Sequence, residues 1–386
     1  LQPKILVGNS FYMSILKSFK KKQKNKWKRY AGILHLWLGL CSGLIVFVIA
    51  ITGCIFVFHD EIKDVVYDWR FVPEQNRPFV KPSIIINNLQ DIYPGITADM
   101  VVYNTPNRPA TVHIFLNEIP HDVYFNPYSG DLIHIQNLNK DFFMIVETLH
   151  RFLLLPEEIG KQVTGIATII FLFMLISGIV LWWPKKWKKV SHNLTVKWSA
   201  RWRRKNYDWH RASGFYMILP AMFLAITGLA FSYEWVNNSF YTLGNLNSHV
   251  EAFNEPKAFP DVFESEPEAI DMAFFTTIAK LPNSEMYFVW DQGQGLPIIT
   301  GAYPKALAFD HQSNFYFHPQ TGHLLTTQFY NAKSGGVQLQ EMTYGLHTGQ
   351  YLGVFGKIMA FIGSLFIASL PVTGFIIWYG RRKKNS

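Results

Sequence analysis

Cysteine is nearly absent from this chain. Only Cys41 and Cys54 occur in 386 residues. They share one apolar run and lie roughly 20 Å apart if that run is helical, too far for a disulfide. No CxxC pair exists, which excludes a cysteine-held iron–sulfur cluster and a covalently attached c-type haem. Nucleotide signatures are missing too: there is no GxGxxG after a strand, no P-loop and no flavodoxin-like segment. Charge is absent from four long stretches, 33–58, 163–183, 212–233 and 358–379. Each is long enough to cross a bilayer. With an aromatic fraction of 16%, these runs describe an integral membrane protein.

The charges that are present sort themselves by segment. Basic residues crowd an N-terminal arm (Lys17, Lys20 to Lys22, Lys24, Lys26, Lys28, Arg29), the 185–205 loop and the tail from Arg381 to Lys384. In the two long segments 60–149 and 236–346, acidic residues outnumber basic ones. The positive-inside rule then puts both termini and the short loop in the cytoplasm and both long segments outside, in a bacterial inner membrane. The basic loop reads as a topology signal in contact with lipid headgroups, and nothing else points to nucleic acid. No cleavable signal peptide is evident; Met13 reads as a natural start, so residues 1–12 are expected to be upstream or non-native sequence.

The chain repeats itself. His35-Leu36-Trp37-Leu38-Gly39 leads to Ala50-Ile51-Thr52-Gly53, and His210-Arg211-Ala212-Ser213-Gly214 leads to Ala225-Ile226-Thr227-Gly228 in the same register. Later, Ser177-Gly178 precedes Trp182-Trp183 as Thr373-Gly374 precedes Trp378-Tyr379. The small pairs allow close helix approach, and the aromatic pairs anchor at the interface. The predicted organisation is a basic arm (1–30), a first span (31–59), an outside domain (60–149) and a second span with its preceding His segment (150–184). A basic loop (185–209), a third span (210–235), a second outside domain (236–346) and a fourth span with its His segment and tail (347–386) complete the chain. Both halves enter from the same side, so the four transmembrane helices form two parallel pseudo-symmetric repeats.

Each outside segment reads as a small α+β domain. A helical stretch (82–92 or 266–280) precedes alternating strands that end in a Pro- and Gly-containing hairpin turn. The turns are Asn126-Pro127-Tyr128-Ser129-Gly130 and His318-Pro319-Gln320-Thr321-Gly322.

The Asn/His-Pro-x-Ser/Thr-Gly-x-Leu hairpin resembles the PepSY domain signature. The flanking runs, with Leu34-His35-x-x-x-Gly39, Leu149-His150-Arg151 and the Gly-x3-Trp ends, resemble the PepSY-associated transmembrane family over about residues 27–384. That family is often described as iron-regulated and includes inner-membrane siderophore reductases of FoxB type. The resemblance implies two haem b groups in the membrane part and electron delivery to ferric siderophores outside.

The histidines give that implication residues. His35 pairs with His210 and His150 with His347 by position in the repeat. A b-type haem in a bundle needs two neutral imidazoles facing each other from different helices, and a pseudo-two-fold axis supplies such pairs. On this reading Gly39 and Gly214 leave room for the macrocycle edge, and Arg151 and Arg211 pair with its propionates. Alternatives stand beside it. The histidines are interfacial residues with ordinary hydrogen bonds, or they hold zinc. His59 is a second candidate for the outer ligand. His150 and His347 precede their spans by many residues, so an outer haem falls near the surface unless Pro156 folds 142–155 back. His311, His318 and His323 gather around the second hairpin as a further candidate metal or substrate contact.

The expected activity is one-electron reduction of a ferric siderophore or similar ferric chelate outside, with a quinol or separate flavoprotein as donor inside. No catalytic acid or base is required. One rival is a non-enzymatic membrane-anchored PepSY module that binds or regulates a peptide or protease. Another is a chelate transporter, against which the lack of broken helix pairs and midplane charges argues.

Overall fold

A computed structural model describes residues 8–385 apart from 97, 99, 247, 252 and 263, with side chains from 26 to 382. The predicted upstream segment therefore lies partly outside the described residues, as do the side chains of the first lysines of the arm. The first half contains α1 (Gly8–Phe56), α2 (His59–Val66), α3 (Pro82–Ile92), β1 (Met100–Tyr103), β2 (Ala110–Leu116), β3 (Ile119–Phe125), β4 (Leu132–Asn137), α4 (Phe142–Phe152) and α5 (Glu157–Trp182). A short α6 (Val190–Leu194) opens the second half. It continues with α7 (Trp202–Tyr216), α8 (Ile218–Ser232), α9 (Glu234–Gly244), α10 (Pro267–Lys280), β5 (Met286–Trp290), β6 (Ile298–Tyr303), β7 (Ser313–Phe317), β8 (Leu324–Gln328), α11 (Gly335–Thr348) and α12 (Gly353–Asn385). Two compact units result: a helical one up to Cys54 with His150–Leu229 and from Phe361 on, and a mixed one of Ile55–Leu149 and Ala230–Ala360.

Three stretches are long and apolar enough to cross a membrane: Lys26–Phe56, Glu157–Trp182 and Gln350–Arg382. The remaining run differs from the expected continuous third span. It is broken into α7 and α8, which meet at 62°. The reason is Pro220, which lacks an N–H and whose ring would strike the carbonyl four residues back, at Tyr216, where α7 ends. Ile45 holds the equivalent place in the first copy, and α1 passes through it unbroken. Around a layer of Val46, Ala50, Leu175, Ala221, Ile367 and Ala368, the helical unit packs small residues between its helices. Large apolar side chains such as Leu44, Phe173 and Leu219 remain outward and exposed, as lipid-facing positions require.

In the mixed unit the two predicted outside domains are not separate. Their strands form one eight-stranded sheet in the order β4-β3-β2-β1-β5-β6-β7-β8. The joint is β1 against β5, antiparallel, with Val101 opposite Val289 and Val102 opposite Phe288. Pairing removes one open edge from each half. The helices α3 and α10 cover one face, over a core that includes Ile85, Leu89, Tyr103, Phe274 and Phe315. Between these helices Asp271 accepts hydrogen bonds from Ser83 N–H (3.0 Å) and Ser83 Oγ (2.7 Å), capping the start of α3 from the other half. The two hairpins match: Gly130 N–H donates to Asn126 O and Gly322 N–H to His318 O, both at 2.9 Å, each glycine having positive φ.

Candidate functional site

Four helices of the helical unit position the predicted inner pair. His35 lies on α1 and His210 on α7, and their ring centroids are 6.4 Å apart with planes at 87°. Each ring is fixed from behind by its own half. His35 Nδ1 is 2.9 Å from Ser177 Oγ on α5, and His210 Nδ1 is 2.8 Å from Thr373 Oγ1 on α12. The hydroxyl protons are already committed, Ser177 donating to Met174 O (3.1 Å) and Thr373 to Ser369 O (2.8 Å). Each hydroxyl has one proton, so it accepts from the imidazole. Both histidines therefore carry their proton on Nδ1 and present a lone pair at Nε2, the tautomer a metal ligand needs.

A glycine completes each seat. A Cβ on Gly178 would lie 3.5 Å from His35 Cε1, and one on Gly374 would lie 3.3 Å from His210 Cε1. The sequence showed the repeated Ser/Thr-Gly pair, but suggested helix packing; its contact with histidine depends on which helices become neighbours. Gly39 and Gly214 face Met174 and Leu370, so what they admit in this structure is a neighbouring helix of the same half.

His150 uses the same device in the first copy. Its Nδ1 lies 2.9 Å from Ile49 O and 3.1 Å from Thr52 Oγ1, and a Cβ on Gly53 would sit 3.3 Å from its Cε1. A carbonyl only accepts, so this imidazole too carries its proton on Nδ1. The depth difficulty is resolved for this residue: α4 turns back at Leu153 and Leu154, both with positive φ, before Pro156. His150 is thereby held at the Thr52 level of α1, about 26 Å of helix rise from His35. Thr227, the repeat equivalent of Thr52, donates to Phe223 O (2.8 Å) as Thr52 donates to Val48 O (2.7 Å). His347 closes α11 in the mixed unit, 5.7 Å from the Phe231 ring.

The remaining predicted residues have other engagements. Arg211 reaches Asp208 Oδ1 (2.9 Å) and His192 O (2.6 Å), tying the basic loop to α7. Arg151 lies over the Phe152 ring at 4.7 Å. His59 has both ring nitrogens directed at oxygen, Nδ1 to Phe56 O (2.9 Å) and Nε2 to Asp60 (3.3 Å). His318 Nδ1 accepts from Gln320 N–H (3.2 Å) inside its turn, and His311 stacks with Tyr351 (5.8 Å, planes at 12°). Among the described residues no group of three or more His, Cys, Asp or Glu is placed to hold a metal ion. His311, His318 and His323 therefore form no such metal-holding group at the second hairpin.

The inner pair does fit a haem. Imidazole–metal bonds of about 2 Å put the centroids of two Nε2-bound rings on opposite sides of one metal roughly 6 Å apart, close to the separation seen. Two neutral imidazoles from different helices, each oriented by a second partner, are the donor set that would hold a b-type haem.

A family model described as the PepSY-associated TM region matches residues 33–381, nearly the whole chain. No curated protein matches the sequence.

Proposed function

The chain belongs to the PepSY-associated transmembrane family, and from that premise we propose that it carries electrons across a bacterial inner membrane to a ferric siderophore or similar ferric chelate. The proposed topology has four spans, α7 and α8 counting as one, with both termini cytoplasmic and the sheet-forming segments in the periplasm. Two haem b groups are proposed: His35 and His210 would hold one, and His150 and His347 are the expected ligands of the other. The observation that carries the reading is the inner pair: two rings with centroids 6.4 Å apart, each with its Nδ1 proton fixed by a hydroxyl of its own half.

A bound haem would supply one-electron storage at a potential set by its ligands and surroundings. The protein's part is positional. Ser177 and Thr373 hold the imidazoles neutral and aimed, and Gly178 and Gly374 let them lie against α5 and α12. The layer around Val46 and Ala221 keeps water from the middle of the bundle. Reduction releases iron from the chelate because Fe(II) binds hard oxygen donors less strongly than Fe(III) does. No protein acid or base takes part.

The test is an absorption spectrum of purified protein from haem-replete cells, with pyridine-haem quantitation. The expected result is a Soret band that sharpens with dithionite and about two haems per chain. A colourless preparation would overturn the proposal and favour a membrane-anchored PepSY module that binds or regulates a peptide or protease.

A further inference from the structure

The basic end of α5 carries an aromatic recess that the histidine sites do not use. We infer that it binds the ring of a quinol, and that this quinol is the electron donor. The cavity measures about 150 Å³ and is lined by Trp182, Trp183, Pro184, Trp187, Val190 and Phe215. Trp182 is only 8% exposed and stacks on Phe215 with centroids 3.9 Å apart and planes at 18°. Its indole Nε1 is buried and has no hydrogen-bond partner among the described residues.

A buried N–H without an acceptor costs about 1–3 kcal/mol, and an occupant whose oxygen reached Trp182 Nε1 would remove that cost. The rest of the lining is ring and aliphatic surface, which favours a flat, uncharged occupant. A quinol ring meets both demands: an apolar plane to lie against the indoles and a ring oxygen to accept from Nε1. Trp183 and Trp187 are 52% and 77% exposed. Tryptophans so placed sit at headgroup depth, where a ring with a lipid-dissolved tail arrives from the side.

Position favours electron transfer. Trp182 stands five residues after Ser177 on α5 and Phe215 five residues after His210 on α7, so the stack is built on two of the helices that seat the inner pair. The second half builds no copy. There α12 runs on to Asn385, whereas α5 stops at Trp182. Leu40 occupies the repeat position of Phe215. One recess per chain is therefore expected. Each quinol oxidised to quinone gives up two electrons and two protons; the electrons reduce two Fe(III) chelates to Fe(II), one each, and the protons leave to water on the basic side.

The donor role rests on the electron-carrier reading, but the binding does not, so binding is what the experiment reads. Full-length protein in lipid nanodiscs is titrated with a short-tailed ubiquinone analogue and photolabelled with its azido derivative; the adducts are mapped by mass spectrometry. Labels are expected on 182–190 and Phe215. Trp182→Phe keeps the ring but removes the donor and should weaken binding roughly three- to tenfold. Trp187→Ala, at an exposed position, should weaken it without disturbing the fold, and Trp378→Phe should leave it unchanged. Labels spread around the bundle, equal affinity in Trp182→Phe and Trp378→Phe, or a co-purified phospholipid in the recess that quinone does not displace would each overturn the inference. A haem-free protein that still binds the analogue at Trp182 would sink the electron-carrier reading, and with it the donor role, while leaving the binding site intact. A haem-loaded protein labelled elsewhere would do the reverse.

Discussion

In the first half α1 runs through Ile45 without a break, while in the second the same repeat position holds Pro220 and the helix bends by 62°. The histidine ten residues earlier is nevertheless seated alike in both, on a hydroxyl and a glycine of the partner helix. The mixed unit shows a similar contrast. In β6 every residue is buried, whereas β2 keeps the alternation of a one-faced strand. A segment in the second half explains it: Phe253 lies against Tyr316 (5.4 Å) and Phe259 against His318 (4.2 Å), adding cover that His113 and Phe115 in the first half lack. The halves thus share what the inner pair touches and diverge where scaffold suffices.

That comparison can be broken most directly at the pair itself. Removing either ring should remove the same haem: His35→Ala and His210→Ala are each expected to lose one of two haems by pyridine-haem assay, and His150→Ala and His347→Ala the other. A double variant of His35 and His210 that loses no more than either single one completes the test; additive loss would show that the two rings serve different groups. Next in size is the helix break. Ile45→Pro should cost about 3 kcal/mol, because α1 depends on a continuous ladder there. Pro220→Ile supplies an N–H that Tyr216 O can accept and should give a slowly exchanging amide at position 220. Both are read by thermal unfolding and hydrogen exchange, and equal responses in the two halves would refute the asymmetry.

Smaller effects sharpen the contrast in the mixed unit. Asp271→Ala strips Ser83 of two hydrogen bonds across the α3–α10 contact and should lower stability by about 2 kcal/mol in denaturant unfolding. Ile86, its counterpart by helix position, offers α10 no such cap. The smallest effect is a pH dependence. His113 donates a hydrogen bond to Asp122 Oδ1 at 2.9 Å, which raises its pKa. Its contribution is therefore complete below the unfolded histidine pKa and lost as pH rises through the folded one. His113→Gln should flatten that limb of the stability profile, and an unchanged profile would show the pair to be idle. Asp64 moves the other way. Burial alone would raise its pKa, but Arg108 and Arg70 outweigh that and hold it below the ordinary value. Its contribution is lost as pH falls through the folded pKa, and Asp64→Asn should remove that acid-side loss.

Much of this was legible from residue order. Uncharged runs marked the spans, and the repeated His-x3-Gly and Ala-Ile-Thr-Gly strings marked equivalent positions. Pro127 with Gly130, and Pro319 with Gly322, marked the hairpins. The break at Pro220 was not legible: hydropathy reads straight through it, and a proline alone does not settle the matter, since Pro371 lies inside the continuous α12. The fusion of the two sheets was not legible. The alternation of 100–103 says that a strand exists, and nothing local says whether its free edge meets water or Trp290.

Sequence by itself determined the membrane class, the repeated strings and the four candidate histidines, because hydropathy, charge bias and residue spacing are properties of chain order. Tertiary structure alone decided that Ser177 and Thr373 fix the tautomers of His35 and His210, that His150 folds back onto Thr52, and that Trp182 lies buried on Phe215 with an unanswered N–H. Those facts depend on which helices become neighbours and how they are rotated. Packing settles both, and no local pattern of residues encodes either.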